Sequence, residues 1–291
     1  MQHIEFIHTS HFIDNYHRAK APAHLSLFIE FFWETDFDGI WAGYPEGFSD
    51  ILFPNIGYTY LLNLGTPFIM QVGDKKFPMK TDGFLPRQKA LECYHKPGNQ
   101  LFGIKFRTSP IMFEKKVNFA EYRDSIFPLS YLADAGVLRD AKAAGSFEER
   151  VEILSRYFYS LIKQYEGSLQ PIRIVTEILA DCNRDNSFSR PVEELAAQYD
   201  ISTRTLQRYF EINTSISTKQ ALQIMRIRKA TEHLVNAPAS FHFSQYGYYD
   251  HSHFYKHLKQ FLQKKTLEKM EPHLELLKKL HATEKRETRN G

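Results

Sequence analysis

Two short segments of the sequence concentrate side chains that can form paired hydrogen bonds with the edges of planar bases. The first segment carries Arg204, Gln207 and Arg208, and the second carries His251 and Lys256. A guanidinium can donate two parallel hydrogen bonds to guanine and a carboxamide can bond adenine, each worth about 1–3 kcal/mol of discrimination. These side chains read bases when one exposed helix face carries them into a major groove. The residue types therefore indicate double-stranded DNA as the partner.

The elements that would position the first set are predicted from VEELAAQYDISTRTLQRYFE, residues Val192–Glu211. A short apolar helix leads to a turn at Asp200, a residue type that tolerates the left-handed conformation. Ser202 is a good N-cap for the next helix, because its hydroxyl can accept from a backbone N–H two or three residues later. The expected buried positions are Val192, Leu195, Ala196, Leu206 and Phe210. The expected DNA-contacting positions are Ser202, Thr203, Arg204, Gln207 and Arg208.

The same layout recurs in FHFSQYGYYDHSHFYKHLKQF, residues Phe241–Phe261. Here Gly247 is the turn residue, and Asp250 or Ser252 caps the helix that follows. Phe254, Leu258 and Phe261 form the buried stripe, at i, i+4 and i+7. The expected DNA-contacting positions are His251, Ser252, Tyr255, Lys256 and Lys259.

Between the two motifs, Lys219 to Val235 is predicted to be one long helix. It carries apolar Leu222, Met225 and Ile227, together with basic Arg226, Arg228 and Lys229. A rigid connection would fix the distance between the two recognition helices. At a spacing of about 34 Å, both could enter one face of the same DNA duplex.

The strings ELAAQYDISTRTLQRYFE, ALQIMRIRKATEHL and GYYDHSHFYKHLKQF make residues 170–265 resemble the DNA-binding domain of the AraC/XylS family of bacterial transcription regulators. The resemblance implies that bases are read by Arg204, Gln207, Arg208, His251, Ser252 and Lys256. Two departures stand out. His242-Phe243 replaces the family's Ile-Ala, and residues 263–267 replace its Gly and Thr-Pro.

The first part of the chain favours β structure. Apolar or alternating runs separated by Gly and Pro predict a β-sandwich or barrel. The predicted strands are Ile51–Phe53, Tyr58–Leu64, Phe68–Val72, Gly83–Pro86, Leu91–Tyr94 and Leu101–Phe106. YPEGFSDILF and LFGIKFRTSPIMFEKK are similar to the N-terminal domain of a subgroup of AraC-type regulators, which implies a cupin-like β-barrel with trailing helices that senses a ligand, dimerises, or both.

Aromatic and helical segments of this part suggest two further roles. Five aromatic side chains are candidates to line a ligand pocket, with a packed β core as the alternative: Trp33, Trp41, Tyr44, Tyr58 and Tyr60. The spacing from Ile111 to Gly167 predicts helices, among them Ser146–Ile162, which begins at a capping signal and is a candidate dimer surface.

Composition narrows the class of protein. The 291 residues are 43% hydrophobic and 24% charged, as in a globular protein. Only Cys93 and Cys182 are present, which excludes a disulfide framework and favours a reducing, cytoplasmic setting. No apolar run reaches the roughly 20 residues needed to cross a bilayer, and the N-terminus lacks the pattern of a secretory signal. Residues 190–291 have a net charge of +6 and the remainder −3, which favours a polyanionic partner for the C-terminal part.

The sequence also predicts no metal and no cofactor. His8 and His11 are expected near a frayed N-terminus without a carboxylate or thiol partner at metal spacing, and in the β region only Glu92 and His95 stand close together. His251 and His253, at i and i+2, face different directions on a helix. No nucleophile elbow, phosphate-binding loop or dinucleotide fingerprint is present, so no enzymatic activity is expected.

Together these patterns predict an α+β protein. Its expected parts are a ligand-sensing or dimerisation domain (1–167), a DNA-binding domain with two helix-turn-helix motifs joined by a long helix (168–265), and a charged tail (266–291). The expected function is sequence-specific transcription regulation in the cytoplasm, on promoter DNA and without a membrane partner. A small-molecule effector, RNA polymerase and a homodimer partner are compatible with it. The alternative is a small-molecule-binding or enzymatic cupin-like protein with an appended helical module.

Overall fold

Strands dominate the first third of the chain and helices the rest. The computed structural model describes residues 2–108, 125–262, 264 and 266–275. Strands β1 to β11 are Gln2–Ile4, Tyr16–Lys20, Ile29–Thr35, Phe48–Leu52, Tyr58–Asn63, Phe68–Val72, Lys75–Met79, Gly83–Pro86, Leu91–His95, Leu101–Phe106 and Phe127–Pro128. Helices α1 to α8 are Thr9–Asp14, Ala135–Ala143, Phe147–Gln164, Gln170–Asp185, Val192–Ala197, Thr203–Thr214, Thr218–Asn236 and His251–Phe261. Residues 266–275 form a further helix, α9.

The strands form two sheets. One has the order β1-β4-β9-β6-β7, and the other has the order β11-β8-β5-β10-β3-β2. Only β1 and β4 pair in parallel among the described strands. Apolar side chains of both sheets share one cluster, which contains Leu61 and Leu85 from the second sheet with Met70 and Leu91 from the first. In the described part of the chain the predicted barrel is therefore an open arrangement of two sheets.

All six predicted strands are confirmed to within a few residues at their ends. Three strands of five or more residues, β2, β3 and β7, were not predicted from sequence, and their patterns explain why. The burial of β3 recurs every third residue instead of alternating, and β2 is an edge strand with only Tyr16 buried. Strand β7, at an edge of the first sheet, contains Pro78 and is largely exposed. Proline is tolerated at such an edge because the missing N–H is not needed for pairing.

The N-terminus is not frayed, which corrects the expectation for His8 and His11. Strand β1 pairs with β4, so that His3 lies opposite Asp50. Helix α1 then folds back and places His11 in the interior, where the residue is only 5% exposed. The pairing partner is more than 40 positions away in sequence, and local pattern could not have revealed it.

Most helical expectations are confirmed within the described residues. Two are wrong: residues 125–134 of the predicted helical stretch contain strand β11 and a 3₁₀ turn, and a 3₁₀ turn replaces the short helix predicted before Gly247. Ser146 caps α3 by accepting from the backbone N–H of Glu149, and Pro171 lies in the first turn of α4. The long connecting helix α7 spans Thr218–Asn236, close to the predicted bounds. Residues 109–124, part of the predicted helical stretch, and residues 276–291 of the predicted tail lie outside the described residues. Within the described residues no helix has the length and apolarity to cross a membrane.

The strands and the C-terminal helices share a core. Ile4, Ile51 and Phe53 from the first sheet region belong to the same apolar cluster as the buried faces of α4 to α8. Polar contacts also join the two parts. Arg228 on α7 forms an ion pair with Glu5, with 2.6 Å between Nη2 and Oε1. The division of the chain at residue 167 remains a prediction, but any boundary there is crossed by extensive contacts.

Candidate nucleic-acid interface

The first helix-turn-helix forms at the predicted residues. Helix α5 ends at a turn in which Asp200 has a φ of +52°, in the left-handed region that aspartate tolerates. Ser202 then caps α6, since its Oγ accepts from the backbone N–H of Thr205 at 3.1 Å. Leu206 and Phe210 are fully buried. These contacts fix the direction of α6 and decide which of its faces is exposed.

The outer face of α6 carries two exposed guanidinium groups, those of Arg204 and Arg208. Thr203 is also exposed. The guanidinium of Arg208 lies 5.8 Å from the ring centroid of Tyr209. Both arginines precede the middle of the helix, as expected for residues that reach base edges from the N-terminal part of a recognition helix.

Gln207 is held by contacts inside the protein. Its Nε2 donates to Glu211 Oε1 at 2.7 Å, and its Oε1 accepts from the backbone N–H of Thr218 at 3.3 Å. Thr218 is the first residue of α7. The carboxamide therefore joins the recognition helix to the start of the connecting helix, and it would have to exchange these bonds in order to bind adenine.

The basic residues of α7 also face other parts of the chain. Arg226 lies over the ring of Tyr248, 3.8 Å from its centroid, and donates to the carbonyl of Gly247. Lys229 donates to the carbonyl of Asn183. With Arg228 paired to Glu5, all three basic groups stabilise packing around α7 and are engaged within the chain.

The second motif differs from the first in its leading element. In place of the predicted short helix, Phe243–Tyr246 form a single 3₁₀ turn that ends at Gly247, whose φ is +67°. Phe243 is buried and its ring meets that of Phe254 at 5.7 Å. A large aromatic side chain at this crossing leaves less room than the small residue of the first motif, which accounts for the shorter element.

The recognition helix of the second motif, α8, is well defined. Asp250 caps it by accepting from the backbone N–H of His253 at 2.8 Å, while Ser252 is exposed. Phe254 and Leu258 are fully buried, as predicted, and Phe261 is partly buried against the same core.

Along one side of α8 runs a stacked column of side chains at i, i+4 and i+8, in which His251 and Tyr255 are half-buried, contrary to expectation, and Lys259 is exposed. The ring of His251 stacks on that of Tyr255 at 5.8 Å and 14°, and Lys259 Nζ lies 4.5 Å from the Tyr255 centroid. Ser252 and Lys256 are exposed beside this column. The face combines hydrogen-bonding groups with positive charge, as a groove-facing surface requires.

His257, on the inner side of α8, makes the second motif sensitive to acid. Burial lowers its pKa to about 4, with smaller contributions from Arg226 and His253, and Tyr248 Oη lies 2.6 Å from His257 Nδ1. An unfolded histidine binds a proton near pH 6.5, so the unfolded state takes up more protons between pH 6.5 and 4. We expect acidification from pH 7 to 4.5 to remove about 2–3 kcal/mol of stability through this group.

The measurement is urea unfolding of the wild type and of His257→Gln at several pH values. Glutamine can still accept from Tyr248 but does not titrate. The stability difference between the two proteins should shrink as the pH falls. Parallel pH profiles would show that His257 is not buried in its neutral form.

A cavity of about 340 Å³ lies between the strands and α7. Of the five aromatic residues predicted for a pocket, Trp33 lines it. Tyr58 and Tyr60 are buried in the core of the second sheet, and Trp41 and Tyr44 pack around Phe48. Whether any of the five contacts a ligand remains a prediction.

The cavity is lined by buried cationic groups that the sequence alone did not single out. Burial lowers the pKa of Lys105 to about 7, and its ammonium donates to the carbonyls of Ile56 and Phe106. Arg87 is also buried, and its Nε lacks a hydrogen-bond partner. The lining has five basic side chains against three carboxylates: Arg18, Arg87, Lys105, Arg228 and Lys229 against Glu5, Glu30 and Glu232. This charge distribution suits an anionic small molecule.

No family model and no curated protein matches the sequence. Among solved structures, ToxT from Vibrio cholerae is 10% identical, with a TM-score of 0.43 over 85% of this chain and 95% of that chain. ToxT of strain SCE256 with a bound unsaturated fatty acid is 10% identical, with a TM-score of 0.40 over 75% and 88%. The AraC-like transcriptional activator CuxR is 11% identical, with a TM-score of 0.22 over 77% and 89%. Values this low describe a distant likeness, and no residue role follows from them.

Proposed function

We propose that this chain is a sequence-specific DNA-binding transcription regulator of the AraC type. The observation that carries the proposal is the pairing of two capped helices, α6 and α8. Each follows a left-handed turn, buries an apolar stripe and exposes basic and hydrogen-bonding side chains. One uninterrupted helix, α7, connects them, so that both can be presented to one duplex in a fixed relation.

Within this proposal the polar residues divide into two roles. Arg204 and Arg208 read bases from α6, and His251, Ser252 and Lys256 read them from α8. Thr203, Tyr255 and Lys259 contact the phosphate backbone, which sets affinity and salt dependence. Ser202 and Gln207 act mainly through the backbone caps and the α6–α7 contact that they form.

The strands and the cavity form the sensing part of the regulator in this proposal. The two-sheet region corresponds to the cupin-like domain (1–167), and the helical region to the DNA-binding domain (168–265). An acidic small molecule in the cavity would contact Lys105 and Arg87 on one side and Arg228 of α7 on the other.

The exposed side of α3, which carries Tyr159, is the proposed homodimer surface, because its apolar side with Leu154 and Phe158 packs into the core of the second sheet. RNA polymerase is the proposed partner at the promoter.

The test is selection of bound sequences from a random DNA library by the full-length protein at about 150 mM salt. Two half-elements about 10 base pairs apart would support reading by both motifs. A single half-element would assign reading to α6 alone and would point to the repacked turn at Phe243. Absence of enrichment, with or without acidic small molecules, would contradict the proposal.

Arg208→Ala provides a residue-level prediction. We expect affinity for the selected sequence to fall about 5- to 150-fold, which corresponds to about 1–3 kcal/mol, and preference at one base position to relax. Arg184→Ala is the matched control, because Arg184 is an exposed arginine on α4 outside both motifs. Fluorescence anisotropy on the selected site and on a scrambled site measures both effects. Equal losses on the two sites would make Arg208 a phosphate contact instead.

A further inference from the structure

A buried group of polar side chains lies at the end of the first sheet, away from the helix-turn-helix motifs. Asp50 is at its centre and is completely buried. His11 Nε2 lies 2.9 Å from Asp50 Oδ1, and His3 Nδ1 lies 3.6 Å from the same oxygen. On the other oxygen, His95 Nε2 lies 3.3 Å from Oδ2, and Tyr16 donates its hydroxyl proton to Oδ2.

Three elements hold these groups in place. The parallel pairing of β1 with β4 sets His3 opposite Asp50, and α1 brings His11 over His3. The two imidazole rings are stacked, with 3.9 Å between centroids and 8° between planes. The edge of Phe48 meets both rings at about 5.5 Å and closes the group off from solvent.

The nitrogen and oxygen atoms that converge here lack directional hydrogen bonds. His3 Nδ1, His11 Nε2, Asp50 Oδ1 and His95 Nε2 are all buried, and none has a partner with hydrogen-bond geometry. Burying such atoms unsatisfied costs about 1–3 kcal/mol each, more for a charged group. Close approach without hydrogen bonds is expected where the atoms are ligands of a common cation.

The orientation of His95 also supports a cation shared by these atoms. Asn99 Nδ2 donates to the carbonyl of Thr66 at 3.0 Å, so the Asn99 oxygen faces His95 Nδ1, at 2.7 Å. Nδ1 therefore carries the proton, and Nε2 of a neutral His95 presents a lone pair to a carboxylate oxygen. The contact of 3.3 Å is stabilised either by a proton on Nε2 or by a cation bound beside the two atoms.

We propose that His3, His11 and Asp50 bind a divalent transition-metal ion, with His95 facing the second carboxylate oxygen. One ligand atom of each of the three residues lies within 4.8 Å of the others. With metal–ligand distances of about 2.1 Å, neighbouring ligand atoms are expected to lie about 3.0–3.4 Å apart. Two of the three separations, 2.9 and 3.6 Å, bracket that range. Because the two stacked rings are nearly parallel, one of them must rotate for both lone pairs to point at the ion. His95 and Tyr16 orient the carboxylate from outside, as second partners commonly do at metal sites.

The donor set selects the class of ion. Imidazole nitrogens with one carboxylate suit Zn²⁺, Fe²⁺, Co²⁺ and Ni²⁺, whereas Mg²⁺ and Ca²⁺ prefer sites made of oxygen.

The cavity reaches this group from the side, because Tyr16, Cys93 and His95 are among its lining residues. The same ion would anchor β1, whose chain continues to Glu5 and its ion pair with Arg228 on α7. Occupancy is thereby linked through one short segment to the helix between the two recognition helices.

The experiment measures metal binding by the full-length protein in the absence of DNA, so that its result is independent of the proposed regulator function. Stripped protein is dialysed against Zn²⁺, and the bound metal is counted by elemental analysis. Co²⁺ is the spectroscopic probe of nitrogen and oxygen ligands. We expect one ion per chain. We also expect affinity to fall at least 100-fold in His11→Gln and in Asp50→Asn, and about 10- to 100-fold in His95→Gln. His24→Gln is the matched control, since His24 is an exposed histidine outside the group.

Circular dichroism of each variant separates loss of ligand from loss of fold. His11→Gln is expected to perturb the sheets least, because His11 lies in the short helix α1 and not in a strand. Fewer than about 0.1 ions per chain in the wild type would overturn the proposal and leave the group as a proton-bonded cluster. Undiminished binding by folded His11→Gln and Asp50→Asn would overturn it as well. So would an equal loss in His24→Gln, which would place the ion on surface histidines.

Discussion

Phe254→Ala is expected to lower the free energy of unfolding by about 3–5 kcal/mol. The Phe254 side chain is fully buried and meets the rings of Phe241, Phe243 and Tyr248 at centroid distances of 5.3–5.8 Å. The neighbouring element is a single 3₁₀ turn, Phe243–Tyr246, which is too short to keep its position by its own backbone hydrogen bonds. It depends on these ring contacts, so a cavity at residue 254 removes the contacts that orient α8.

The loss is measured by urea unfolding monitored by circular dichroism, with hydrogen exchange to locate it in residues 241–262. Phe254→Leu, which keeps most of the volume, should lose less than half as much. Tyr249→Ala is the surface control, because Tyr249 is 93% exposed and its removal leaves no cavity. On the selected DNA site the alanine variant should retain only the half-element read by α6. A change below 1 kcal/mol would show that the aromatic cluster does not hold α8 in place.

The helix-turn-helix motifs could be predicted because their signals are local. Ser202 and Asp250 lie three residues before the N–H groups that they cap, and Asp200 and Gly247 occupy turns whose positive φ restricts the residue type. The buried stripes follow helical spacing. Such signals need only a few consecutive residues, and they identified the bounds of α6, α7 and α8 closely.

What could not be predicted depends on contacts between distant segments. The carboxylate partner of His3 and His11 is Asp50, which becomes a neighbour only when β1 pairs with β4. Gln207 was assigned to base reading from its residue type, yet its bond to Thr218 arises only from the angle between α6 and α7. The basic residues of α7 show the same limit. Their charge suggested DNA, but Arg226 and Arg228 are directed to partners that the fold supplies.

The contact between Glu5 and Arg228 joins the strands to the helices at one place. Arg228 donates to both carboxylate oxygens of Glu5 and lies over the ring of Phe6, 4.7 Å from its centroid. The Glu5 carboxylate also accepts from the backbone N–H of Phe53. Both side chains are less than one-fifth exposed, so each charge depends on the other. The pair therefore links the end of β1 directly to α7.

Arg228→Met is accordingly expected to destabilise the chain by about 3 kcal/mol, because it leaves the Glu5 carboxylate buried without its counter-ion. Glu5→Gln/Arg228→Met should recover much of that loss, since no charge then remains unpaired. Urea unfolding of the wild type, the two single variants and the double variant gives the coupling energy. Arg184→Met, at an exposed ion pair, is the control and should change stability by less than 1 kcal/mol. Additive effects of the two single changes would contradict a direct pair.

The pH dependence supplies an independent check on the same contact. Burial raises the pKa of Glu5, but the charge of Arg228 and its hydrogen bonds outweigh this, so the pKa lies below its usual value. The stabilisation from the pair is therefore complete above the unfolded pKa of about 4.3 and is lost as the pH falls through the lower folded value. In Arg228→Met the opposing effect of Arg228 is gone, and the carboxyl should protonate at a higher pH than in the wild type. The stability difference between the two proteins should consequently shrink in acid, whereas a purely steric effect of the methionine would be constant with pH.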